Sequence, residues 1–326
     1  MADSSGSGGK PVADLDSRFS NLAPSSTGRK KTGRFNRFDN PLLNWKFLSG
    51  AGIFGFIFFL IFLGNQFWDT DLALAGSSPL NMPPVGFTNW RDQEGIPEHP
   101  LGTENSGRDM LALLIVGTPR TIGVGVIAAS VGMGAGILLG FMAGFVGGIV
   151  DDVIRLMTDV VIPIPSLLVL IVIQSALQRE MDLVTMALLI SMFSWAAPTR
   201  YIRSQVLSMR ESGYVQMAQL SGVPTRDIMY REMMPNLLPY LAASYIGNMT
   251  GAILQAVGLE LLGLGPQRIP SLGVTIFFSI EAAALLRNMW WWWGIPTVIL
   301  AVVFIALLLI NLGLDEIANP RLRKAN

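Results

Sequence analysis

Residues 121–150 read TIGVGVIAASVGMGAGILLGFMAGFVGGIV, a run without a single charged side chain. A helix needs about 20 mainly apolar residues to cross the hydrocarbon core of a bilayer, and this run is longer than that. The whole chain leans the same way. Its 326 residues are 51% hydrophobic and 14% charged, where a soluble domain carries about 25% charged residues, and the mean hydropathy is +0.48. Further apolar stretches lie at 47–68, 153–177 and 183–199, inside 233–259 and inside 288–314. The pattern predicts an all-α membrane protein with six transmembrane helices.

Lysine and arginine placement predicts the orientation, because cytoplasmic loops carry the excess. With the amino terminus inside, eight fall in the N-terminal tail, one in the 146–155 turn, five in the 200–236 loop and three in the C-terminal tail, so 17 of 23 are cytoplasmic. The six outer ones are Arg91, Arg108, Arg120, Arg179, Arg268 and Arg287, and all five lysines lie inside. Both termini are therefore expected in the cytoplasm. Trp290, Trp291, Trp292 and Trp293 then fall where the last span meets the outer interface, a depth that suits amphipathic rings. A ring platform for a sugar or amine is the alternative.

Composition excludes several chemistries. There is no cysteine and one histidine, His99, so disulfides, thiolate sites and multi-His metal centres are not expected, and neither is a cofactor or a nucleic-acid partner. A lone histidine in an outer loop is expected to be structural. No Ser/His or HExxH arrangement supports an intramembrane enzyme. Residues 1–40 are polar and rich in Ser, Gly and basic residues, which predicts a disordered cytoplasmic tail and no cleavable signal peptide. Gly9-Lys10-Pro11 resembles a phosphate-binding loop only in passing, since the Ser/Thr and the preceding strand are missing. If ATP drives this protein, another chain binds it.

Within the spans, Ala128, Gly132, Gly136, Gly140, Gly144 and Gly148 recur every four residues on one helical face. Such faces let backbones approach closely in lipid, so helix packing is expected, with a pore-lining role as the alternative. Asp151, Asp152, Arg155 and Asp159 open the third span, where Arg155 and Asp159 are spaced for an i, i+4 pair. Pro163 and Pro165 break the ladder within that span. Irregular backbone at membrane depth is tolerated where protein or water satisfies it, so the pathway is expected there. Glu260 has no evident partner and is open to two readings, an aqueous vestibule or the interface.

The 200–236 stretch is not a random linker. Val206, Leu207, Met209, Tyr214, Val215, Met217, Ala218 and Leu220 recur near helical spacing, and Ser221-Gly222-Val223-Pro224 then stops the helix. Thr225 starts a second short helix, so a partly apolar helix–turn–helix knob is predicted, which implies a partner groove. This stretch resembles the EAA loop of type I ABC transporter permeases, whose pattern is Glu-Ala-Ala, three residues, Gly and a distal Leu-Pro. Gln216-Met217-Ala218, Gly222 and Met234-Pro235 occupy those positions, with Gln, Met and Met as departures. HPLGTENSGRD at 99–109, ELLGLGPQ at 260–267 and NLGLDEIANPRLR at 311–323 resemble segments of the C-type subunits in the dipeptide/oligopeptide/nickel uptake family. The match runs from about residue 38 to 323 in the family's order.

The resemblance implies a type I ABC importer permease fold with both termini inside, in the plasma (inner) membrane. Its implied layout is a tail at 1–40, an N-terminal helix with an extracytoplasmic segment at 41–117, a five-helix domain at 118–314 with its coupling loop at 200–236, and a tail at 315–326. The implied partners are a homologous second permease subunit, two cytoplasmic ATPases, an extracytoplasmic solute-binding protein and membrane lipid. Tyr214, Gln216, Met217, Ala218, Leu220, Ser221 and Gly222 would form the ATPase-coupling helix. The implied solutes are di- or oligopeptides, with a nickel chelate or an oligosaccharide as alternatives. The competing class is a secondary transporter or channel without an ATPase, which the near absence of central ionisable residues disfavours.

Overall fold

The computed structural model describes residues 44–177, 181–268 and 270–318, and within them every named regular element is a helix. Residues 1–40, part of the 178–182 turn and the Asn319-Pro320-Arg321 pattern lie outside the described residues. Helix α1 spans Trp45–Phe67 and α2 Met110–Phe141, the latter continuing in a π-helical turn at Met142–Val146. Then follow α3 (Gly148–Val161), α4 (Ser166–Leu177), α5 (Leu183–Ser194), α6 (Ala196–Arg210) and the short α7 (Gly213–Leu220). The chain passes through Thr225–Asp227 and a π-helical turn at Ile228–Met233 into α8 (Met234–Leu261), α9 (Leu272–Glu281) and α10 (Trp290–Ala318).

By length and composition α1, α2 and α10 are each apolar enough to cross a membrane, and the bent pairs α3/α4 and α5/α6 qualify as two more, with bends of 76° and 44°. The first bend follows from Pro163 and Pro165. The second follows from Pro198, which has no N–H to donate to the carbonyl four residues back. The expected fifth span is α8, which at 28 residues is about 42 Å long. It falls short on apolarity because Asn236, Asn248, Gln255 and Glu260 interrupt it.

Helix α2 begins at Met110, eleven residues before the charge-free run. The extension accommodates Arg120, whose Nη1 donates to Pro270 O at 3.4 Å. Helix α8 lies between α2 and α10, and Ile122, Ile253, Val257, Val303 and Leu307 from these three helices form the central core. Helix α1 lies along α10, where Gly50 and Gly313 bring the backbones together. A Cβ at Gly313 would stand 2.6 Å from Phe47 N. Lys46 Nζ and Asn44 Nδ2 each donate to Glu316 at 2.5 Å and close that seam. The other side of α1 exposes Phe56, Phe59 and Phe62.

The glycine ridge packs. Gly132, Gly136, Gly140 and Gly144 meet Ser194, Pro198, Ile202 and Val206 in turn, so two four-residue periodicities interlock along α2 and α5/α6. Gly148 departs from the expected ridge: it opens α3 at φ +60° with nothing against it.

The tryptophan run also departs from expectation. Trp291 and Trp292 are buried with Met110, Leu113 and Met289, while Trp290 and Trp293 stay partly exposed. Trp291 Nε1 donates to Thr103 O at 3.1 Å, so half of the run pins the 69–109 segment to the bundle. His99 serves the same segment. Its Nδ1 lies 2.9 Å from Asp109 Oδ2, while Asp109 Oδ1 accepts from Trp68 Nε1 at 3.0 Å and caps α2 through Ala112 N at 2.8 Å.

Candidate functional site

Two features at different places in the bundle are candidates for function. The first is the knob formed by α7 and the turn after it. Helix α6 runs straight to Arg210, so the irregular part of the 200–236 stretch is shorter than the sequence suggests. Val215 is the inward residue of α7, fully buried among Phe141, Phe145, Ile202, Val206, Ile228 and Met233. The opposite face is bare: Met217 is 70% and Leu220 88% exposed, with Tyr214, Gln216 and Ser221 also exposed and Ala218 half-buried.

The end of α7 is a Schellman turn. Val223 N donates to Ala218 O at 3.1 Å, Gly222 N donates to Gln219 O at 3.0 Å, and Gly222 sits at φ +75°. A side chain at 222 would meet open space, so only the backbone conformation demands glycine. Pro224 then directs the chain into the next turn. Below the knob, α6 is tied to α3. Arg203 Nη2 donates to Asp151 Oδ2 at 2.6 Å, and Arg200 pairs with Asp159. The expected Arg155–Asp159 pair exists at 3.7 Å, but the stronger partners come from α6, beyond the reach of local spacing.

The second feature is a cleft of about 500 Å³ among α5, α6, α8 and α10. Helix α8 lines it with Tyr240, Ser244, Asn248, Gly251 and Gln255, which fall on one face, and Asn311 and Asp315 of α10 stand opposite. Asn248 Nδ2 is buried with no hydrogen-bond partner among the described residues. The Pro163/Pro165 bend abuts this cleft, since Ser166 Oγ donates to Gln255 Oε1 at 3.2 Å. The sequence points to the two prolines for the pathway, and the amide stripe is a further feature beside them. The signal was present as polar residues every three or four positions within the fifth apolar stretch. Gly132, Gly136 and Gly140 make the contact of α2 with α5/α6, with Ser194 and Pro198 shared between that contact and the cleft wall.

Glu260 fits neither sequence reading. It is 1% exposed, wrapped by the 262–273 segment, and a Cβ at Gly273 would stand 2.2 Å from its Oε2. Among the described residues neither carboxylate oxygen has a well-formed hydrogen bond, and the Ser271 hydroxyl and the Gly273 amide are the donors that act on it.

The family of binding-protein-dependent transport system inner membrane components matches residues 136–324, more than half of the chain, and takes in the knob and the cleft together. The chain belongs to that family. It is an ABC permease, a multi-pass component of the membrane. The permease is similar to the oligopeptide transport system permease protein OppC of Lactococcus lactis subsp. cremoris, 31% identical over 68% of this chain and 76% of that one. It is also similar to the dipeptide transport system permease protein DppC of Haemophilus influenzae, 28% identical over 84% of this chain and 92% of that one. OppC of Bacillus subtilis is 27% identical over 72% and 75% of the two chains.

Proposed function

We propose that this permease is one half of the translocation pathway of an ATP-driven peptide importer, and that α7 is the lever on which the ATPase acts. The observation that carries the reading is the two-faced α7. Val215 locks it into the bundle while Met217 and Leu220 stand bare. Burying such side chains in a partner's groove contributes about 1.5–3 kcal/mol each, enough to hold a docked helix. A conformational equilibrium is driven only by a partner that contacts its two states differently. ATP-driven closure of a nucleotide-binding dimer does this, and the Arg200 and Arg203 ion pairs with α3 pass the motion of the knob to the bend beside the cleft.

In this reading the permease has six spans, with α8 as the fifth, both termini are cytoplasmic, and α7 faces the cytoplasm. The part of 41–117 between α1 and α2 lies outside, and the five-helix unit 118–314 forms the pathway with a homologous second permease subunit. Two ATPase subunits and an extracytoplasmic binding protein complete the assembly, and this chain binds no cofactor and performs no catalysis. The relatives named for oligopeptide and dipeptide transport and the amide groups of Asn248, Gln255 and Asn311 support a peptide solute. Primary amides donate and accept at once, as a peptide backbone requires, whatever side chains it carries.

The test is Gly222→Glu in the whole complex, reconstituted in lipid with its binding protein. A left-handed backbone costs a non-glycine residue about 1–2 kcal/mol, so the exit of α7 re-aims while the buried Val215 face stays. The complex should assemble and hydrolyse ATP, with peptide uptake reduced at least tenfold. Undiminished uptake would remove the lever.

A further inference from the structure

We propose that the Trp290 end of the permease binds a phospholipid, with an acyl chain in the groove between α9 and α10 and the phosphate on Arg91 and Arg287. The groove measures about 470 Å³ and is walled by Ile276, Ile280, Leu286 and Trp293. Ile280 is 64%, Leu285 71% and Leu286 88% exposed, so a continuous apolar surface stands open beside α9. In a bilayer such apolar surface faces acyl chains or a neighbouring subunit. Because the chain spans a bilayer and α10 starts at Trp290, whose ring stays partly exposed together with that of Trp293, the groove lies where aromatic rings mark headgroup depth.

The charge next to the groove, at Arg287 beside its lining residue Leu286, selects the occupant. Arg287 follows Leu286 directly, and its Nη1 bends over Ala282 O at 3.5 Å while Nη2 donates to Asn81 Oδ1 at 3.0 Å. Its guanidinium carbon lies 5.9 Å from the centre of the Trp90 ring, and that of Arg91 lies 4.4 Å from the same ring. Two like charges thus converge on one indole. Asp92 and Glu281 are near in sequence, yet among the described residues no carboxylate comes within ion-pair distance of either guanidinium. Paired guanidinium forks match phosphate oxygens. Inorganic phosphate shares that chemistry but leaves Leu285 and Leu286 uncovered. A phospholipid meets both demands.

The experiment takes the complete transporter, purified in detergent and stripped of lipid. Dioleoyl phosphatidylglycerol, diolein and inorganic phosphate are added separately, and retained ligand is read by native mass spectrometry. The expected result is retention of phosphatidylglycerol, with diolein and phosphate each held at least tenfold more weakly. The Arg91→Gln/Arg287→Gln pair should lose phosphatidylglycerol at least tenfold, and Leu286→Ser, which leaves both arginines in place, should weaken it severalfold. Equal retention by parent and variants overturns the proposal, as does phosphate binding as well as the lipid. A cross-link from Leu286→Cys to the second permease subunit would assign the groove to protein and overturn it too. None of these outcomes depends on whether α7 couples to an ATPase.

Discussion

The interlocked ridge of α2 and α6 can be tested by adding one methyl group. At Gly136 a Cβ would stand 2.7 Å from Pro198 Cβ, 3.2 Å from Thr199 N and 3.3 Å from Trp195 O. Carbon atoms pack at about 3.5–4.0 Å, so the helices must separate by about 1 Å. The obstacle is a proline ring and backbone, neither of which can rotate away. Overpacking of this kind costs about 1–3 kcal/mol, while alanine in a helix gains about 0.8–1.0 kcal/mol over glycine. Gly134, half a turn away, has nothing within 4 Å of its would-be Cβ and receives the gain alone. Gly134→Ala and Gly136→Ala should therefore differ in stability by about 1–3 kcal/mol, a factor of roughly 5 to 150 in the unfolding equilibrium. Denaturant titration of the two purified complexes in the same detergent measures that difference. Equal stability of the pair would refute the close-packing reading, and with it the idea that α6 is held rigidly enough to transmit motion.

Three further outcomes follow from buried groups. Glu260→Gln should match or exceed the parent in thermal stability, because a buried, poorly solvated carboxylate is costly in the membrane; Gly273→Ala, which drives a methyl into that carboxyl, should melt lower. Asp109→Ala removes the α2 cap and the partners of His99 and Trp68, a loss of at least about 3 kcal/mol, visible as reduced yield of folded complex. Glu104 lies in the 69–109 segment, where burial pushes its carboxyl above the usual value against the pull of the Ser106 and Arg108 amides and the Arg108 charge. A raised acid stabilises the folded state below its ordinary pKa and loses that contribution as pH rises through the folded value. Melting curves should accordingly show the parent losing stability as pH rises above the ordinary carboxylate range while Glu104→Gln changes less.

Much of the fold is legible because lipid leaves few alternatives. Long charge-free runs become helices, and Pro163 and Pro165 announce the α3–α4 bend. What escaped is non-local. Pro119 and Arg120 look like a boundary, yet Arg120 finds the Pro270 carbonyl 150 residues on, and α2 continues through them. Four identical tryptophans carry no periodicity to say which two face the core. Glu260 is buried by a segment that follows it, and Asp151 and Asp159 find their partners on α6. The knob was readable from its own spacing, since its glycine and proline follow an apolar periodic run. The amide stripe of α8 was readable too, had the polar positions of that span been weighed as a face and not as interruptions.

In the proposed assembly α7 docks on an ATPase. The permease has no cysteine, so Leu220→Cys gives it a single thiol on the bare face of α7. In the assembled transporter that thiol should cross-link to the ATPase subunit, with a yield that changes when ATP is added. A thiol that never meets the ATPase, and that a membrane-impermeant maleimide labels from outside intact cells, would contradict the account.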